Sequence, residues 1–83
     1  MTRVEAIRIR VLELMRRAPF HPFALNMENG DRIIIEHPEN IAFDPEAKPG
    51  KNGAEDFSVV SKKLRLFSSF AAVTSVALLD RGE

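Results

Sequence analysis

Two groups of side chains in this 83-residue sequence are of the type that grips polyanions. Arg8, Arg10, Arg16 and Arg17 lie near the N-terminus, and Lys62, Lys63 and Arg65 follow far along the chain. Cations of this kind neutralise phosphates and release their counterions, which makes binding strong at low salt and weak at high salt. Residues 1–22 hold five Arg against two Glu, a net of +3. If the two groups share a face, self-assembly would multiply them into a polyanion-binding surface. The alternative is a solvated helix face paired with Glu13 and an edge strand protected by lysines. Single strands of nucleic acid also need aromatic platforms. The chain has no Tyr or Trp, and its six Phe stand mostly where a core needs them.

Other chemistry is thinly represented. His21 and His37 are the two histidines; with Glu36 or Glu39 they lack the spacing of a metal site, so no metal or other cofactor is expected. Glu36 and Glu39 sit in no stretch that would form a buried pocket able to shift a carboxylate pKa. Ser58, Ser61, Ser68, Ser69 and Ser75 lie in no nucleophile elbow. Gly30, Gly50 and Gly53 precede no Lys-Ser/Thr pair, so no phosphate-cradling loop is expected. The absence of Cys excludes disulfides and thiolate-ligated metals. Catalysis is therefore not expected.

The elements that position these residues follow from periodicity. Thr2 and Glu5 have the spacing of a capping box. Val4, Ile7, Val11, Leu14/Met15 and Ala18 recur at three- and four-residue steps, which predicts a helix over 3–18 ended by Pro19. A stiff connector, Pro19-Phe20-His21-Pro22-Phe23, leads into alternating residues that predict strands at 23–28 and 32–37. Asn29-Gly30 between them marks a hairpin. A two-residue turn would mix the faces. A three-residue loop with left-handed Gly30 pairs Leu25 with Ile33 and Phe23 with Ile35, leaving Ile34 as the one large apolar residue outside, and is preferred. Further strands are expected at 40–43, 57–67 and 73–79, with a flexible loop over 44–56 that is rich in Pro and Gly and carries a net of −2. Leu66, Phe70, Val73 and Ala77 also fit a helical period, so a C-terminal helix over 64–79 in an α+β fold is the alternative. Val73, Thr74 and Val76 favour strand.

The order of helix, bent connector, Asn-Gly hairpin, short third strand, loop and two closing strands resembles the Sm-like small barrel, including its Hfq-type bacterial RNA-chaperone branch. The matching residues are Leu25 with Asn29-Gly30, Asn40-Ile41-Ala42-Phe43, and Phe70 to Val76. The resemblance implies a mainly β fold: an open five-stranded barrel capped by an N-terminal helix, with subunits joined edge to edge in rings. Asn40 matches the family's base-contacting asparagine. The glycine that bends the family's second strand is missing, and its Tyr-Lys-His segment is replaced by residues such as Ser69, Phe70 and Ala71. The stretch Pro19-Phe20-His21-Pro22-Phe23 through Gly30 to His37-Pro38-Glu39 also resembles a family of short uncharacterised bacterial proteins with no known activity; this match covers about half of the chain.

The charge balance is 12 Lys+Arg against 12 Asp+Glu, and 45% of the residues are hydrophobic. The length suits one domain, residues 1–83, whose small core favours sharing between subunits. The longest nearly apolar run, Phe70–Leu79, is half of what a membrane span needs. The charged N-terminal residues do not read as a signal peptide, so a cytoplasmic protein is expected. The leading expectation is a homo-oligomeric scaffold or interaction module, with Val59, Leu64, Leu66, Val73 and Val76 at the seams and no small-molecule substrate. The alternative is single-stranded RNA binding through Arg10, Arg16, Arg17, Asn40, Lys62, Lys63 and Arg65.

Overall fold

The computed structural model describes residues 2–44, 46 and 55–79. Its helix, α1 (Arg3–Arg16), starts where Thr2 accepts the Glu5 N–H on its hydroxyl at 3.1 Å and the Ala6 N–H on its carbonyl at 3.0 Å. It ends two residues earlier than periodicity predicts. Arg17 is already extended, because Pro19 biases the chain before it away from helix. Ile7, Val11 and Leu14 form its buried stripe.

Six strands follow, in two small antiparallel sheets. The first sheet holds β1 (Phe23–Met27), β2 (Arg32–Ile35) and β6 (Val73–Leu78) in the order β2-β1-β6. The second holds β3 (Ile41–Ala42), β4 (Asp56–Val60) and β5 (Arg65–Ser69) in the order β3-β4-β5. The fold is thus mixed α+β and mostly strand. Two 3₁₀ turns make the corners between the sheets: Pro38–Asn40 joins β2 to β3, and Phe70–Ala72 joins β5 to β6.

The hairpin register is the expected one, with Phe23 opposite Ile35 and Leu25 opposite Ile33. The Met27 N–H donates to the Asp31 carbonyl at 2.8 Å, leaving a three-residue loop, and Gly30 has φ +94°. A side chain at that φ would meet the following carbonyl oxygen, which is why glycine stands there. Ile34 faces outward and is half exposed.

The region beyond residue 36 differs more. The expected strand 40–43 is reduced to Ile41–Ala42, because Pro38 starts a 3₁₀ turn that takes Asn40 with it. The expected strand 57–67 is two strands folded back through a tight turn, in which the Ser61 N–H donates to the Leu64 carbonyl at 2.8 Å. Parity explains the break. An unbroken strand would put Leu64 and Leu66 on the face opposite Phe57 and Val59. Reversal at Lys62-Lys63 instead sets Leu66 directly opposite Val59. The alternative of a helix over 64–79 is not adopted: β5 and β6 occupy that stretch, with only Phe70–Ala72 coiled between them. The expected loop 44–56 lies mostly outside the described residues. No helix among the described residues is long and apolar enough to cross a membrane.

One hydrophobic core joins helix and sheets. Phe70, fully buried, stacks on Phe57 with centroids 4.7 Å apart and meets Phe43 edge-on at 5.0 Å. Because Phe70 fills the join between the sheets, Phe70→Ala should cost about 3–5 kcal/mol. That is a large part of the stability of a chain this small. Urea unfolding followed by circular dichroism should show little or no folded baseline for Phe70→Ala and an intermediate loss for Phe70→Leu.

Candidate functional site

The helical arginines divide into two kinds. Arg3 donates to the carbonyls of Val73 and Ala71, both at 3.1 Å, and so ties the start of α1 to the β5–β6 corner. Arg8 donates to the Asp44 carbonyl at 2.8 Å, with its guanidinium 5.9 Å from the centre of the Phe43 ring, close enough for a cation–π attraction. These two hold the fold. Arg10, Arg16 and Arg17 are exposed, and Arg10 meets Glu13 at 3.4 Å in a solvated i,i+3 pair. Such pairs contribute little to stability.

The second basic group sits elsewhere. α1 packs on β6 and the Phe70–Ala72 corner, whereas Lys62, Lys63 and Arg65 stand at the β4–β5 turn, all exposed. That turn borders the other corner, where a cleft of about 620 Å³ is lined by Glu36, His37, Glu39, Asn40, Lys62 and Lys63. The structure therefore brings Asn40 together with Lys62 and Lys63, and attaches Arg10, Arg16 and Arg17 to a different element. The cleft mixes two carboxylates with its cations, so it is no concentrated anion site.

Asn40 is spoken for. Its Nδ2 donates to the Val60 carbonyl at 3.0 Å, and its Oδ1 accepts the His37 N–H at 3.1 Å. Nδ2 thus stitches the Pro38–Asn40 corner to the β4–β5 turn and Oδ1 closes the corner on itself, leaving one N–H and one lone pair of the amide for a further partner. His21 and His37 are exposed. Among the described residues no three His, Asp or Glu side chains gather as a metal site.

The residues expected at subunit seams also divide. Val59 and Val73, at 1% and 0% exposure, are core residues of their own chain and present no side chain to a neighbour. Alternation of β4 and the first inward position of β6 put them there. Leu66 and Val76 are half buried, and Leu64 is exposed. Leu66 and Leu64 lie on or next to β5, Val76 lies on β6, and these strands end their sheets with an edge that is unpaired among the described residues. Two further apolar residues on these edges escaped the sequence reading: Phe67 on β5 and Leu78 on β6. The signal for Phe67 was its parity with Arg65 and Ser69, hidden as long as 57–67 was taken as one strand.

The chain matches no protein-family model, no curated protein and no solved structure.

If Asn40 is a corner stitch, Asn40→Ala loses two hydrogen bonds and should destabilise the fold by about 1–2 kcal/mol in urea titration. Unchanged stability would show that its amide is free for another task.

Proposed function

We propose that this chain is a small Sm-like module that assembles with copies of itself through its strand edges and serves as a scaffold or interaction unit. The observation that carries this reading is the pair of open edges. β5 ends one sheet and β6 ends the other, and both carry apolar side chains. On the core-facing side, Leu66 lines the β5 edge, and Val76 and Leu78 line the β6 edge, in register with Leu25 and Phe23. An exposed edge with apolar side chains is a template for pairing with another chain.

Pairing β5 of one copy with β6 of the next is heterologous, because the two surfaces differ, and head-to-tail contacts of that type make a ring where the rotation between copies closes. It would continue the two sheets across the seam and cover Leu78, which is 45% exposed in the isolated chain. The Sm-like reading rests on the sequence resemblance, with which a helix packed at one corner and a three-residue 3₁₀ turn between β2 and β3 are compatible. On this reading the bend that the family makes at a glycine falls at His37-Pro38. The task is assembly rather than catalysis.

Light scattering coupled to size exclusion at micromolar concentration should report a mass several times 9.3 kDa. Leu78→Lys places a charge in the seam at a half-exposed residue outside the buried core cluster, and should shift the protein toward the monomer with an unchanged circular dichroism spectrum. A monomeric parent protein would overturn the reading.

A further inference from the structure

The outer face of the second sheet is apolar at its centre and charged at its two ends. Phe67 is 84% exposed, far more than any other large apolar residue described. Register holds it outward, because Leu66 and Ser68 on either side pair with the buried Val59 and Phe57. Across the outer face Phe67 stands opposite Ser58, and Ser58 opposite Ala42. Val60, half exposed, lies on the same face opposite Arg65. A shallow groove of about 550 Å³ runs beside the Phe67 ring, bordered by Ala42, Asp56, Ser58 and Ser69.

The same register separates the charges. Arg65 is two residues from Phe67 along β5, about 7 Å, with exposed Lys62 and Lys63 in the turn beyond it. In the other direction Asp56 pairs with Ser69, also two residues from Phe67, and exposed Glu55 precedes it. One end of the face is thus positive and the other negative, about 14 Å apart. Among the described residues neither Arg65 nor Asp56 has an ion-pair partner. Such a face is complementary to itself. A two-fold axis crossing the strands at Phe67 lays the strands of a second copy antiparallel to those of the first. The positive end of each copy then covers the negative end of the other, and the two Phe67 rings meet at the axis. An axis along the strands would bring like ends together.

We propose that the outer face of the β3-β4-β5 sheet docks on the same face of a second copy, with Phe67 against Phe67 and Arg65 of each copy beside Asp56 of the other. The contact is isologous, one patch meeting itself across a two-fold axis. The small Ser58 and Ala42 and the groove beside them give each ring room to lie offset from the other, as aromatic pairs prefer. Three short strands cover less than the roughly 800 Å² per partner of a standard interface. The contact is therefore weak and reversible, with a dissociation constant on the order of 0.1–1 mM. It does not rest on assembly through strand edges. Edge pairing uses backbone groups and core-side residues, whereas this contact uses side chains of the outer face and leaves both edges open.

The test is sedimentation velocity from about 10 μM to about 1 mM, on the parent chain and on Leu78→Lys, in which the β6 edge carries a charge. The mass of Leu78→Lys should double across that range. Adding Phe67→Ser should weaken this dimer about ten-fold or more, because the ring is lost from both copies. Adding Arg65→Glu sets like charges together at both ends and should weaken the dimer about five-fold, and more at low salt. Adding Asp56→Lys to Arg65→Glu restores opposite charges and should return the affinity to within about two-fold of the starting value. Phe67, Arg65 and Asp56 are all exposed, so circular dichroism should not change. Leu78→Lys that stays monomeric to about 1 mM would overturn the proposal and leave the face to a different protein. A dimer indifferent to Phe67→Ser would overturn it too, as would failure of Asp56→Lys to rescue Arg65→Glu. The edge reading is judged separately. A parent chain that is monomeric at about 10 μM, yet dimerises through Phe67 at higher concentration, supports this proposal and contradicts edge assembly.

Discussion

The corner at Phe70–Ala72 is where helix and both sheets are held together. The Phe70 N–H donates to the Glu55 carbonyl at 2.7 Å, fixing the corner to the start of β4, the strand that carries Phe57. The Ala72 carbonyl accepts the Glu28 N–H at 2.8 Å, fixing it to the β1–β2 hairpin. Arg3 closes the third side by donating to the carbonyls of Ala71 and Val73. Under these bonds the Phe70 ring fills the space between Phe57 and Phe43. Three residues thus satisfy their own backbone groups with partners from the helix, the hairpin and the opposite sheet, as buried polar groups must. In a chain of this size no second core could compensate for losing that join.

A corner that binds β5 to β6 in sequence also determines which edges remain free. Among the described residues each of these strands, like β2 and β3, pairs on one side only. The side chains then alternate: Leu66, Val76 and Leu78 toward the core side, Arg65 and Phe67 away from it. One strand, β5, therefore presents two surfaces, a backbone edge and an outer face that carries Arg65 and Phe67. The balanced total charge conceals this division. Cations gather at the β4–β5 turn and on α1, while Glu36 and Glu39 temper the cleft beside the turn.

Local chemistry made part of this legible in advance. The register of the first hairpin follows from Asn29-Gly30 together with the parity of Phe23, Leu25, Ile33 and Ile35, and the structure adopts it. The helix start at Thr2 follows from a side chain that satisfies its own neighbour's N–H. Less legible were features decided by distant partners. The break at Lys62-Lys63 carries no Gly or Pro, and only the need to set Leu66 beside Val59 requires it. Asn40 looked free because its partners, Val60 and His37, are brought to it by folding. Val59 and Val73 looked suited to a seam until the core claimed them, and the outward position of Phe67 follows only from the reversal at Lys62-Lys63.

The central claim is that the β5 and β6 edges are seams between copies. Amide hydrogen exchange, followed as protein concentration is raised from the nanomolar to the micromolar range, tests it most directly. Edge pairing predicts that backbone amides of Arg65–Ser69 and Val73–Leu78 gain protection with concentration, while the β1–β2 hairpin does not change. Exchange in β5 and β6 that is independent of concentration would contradict the account.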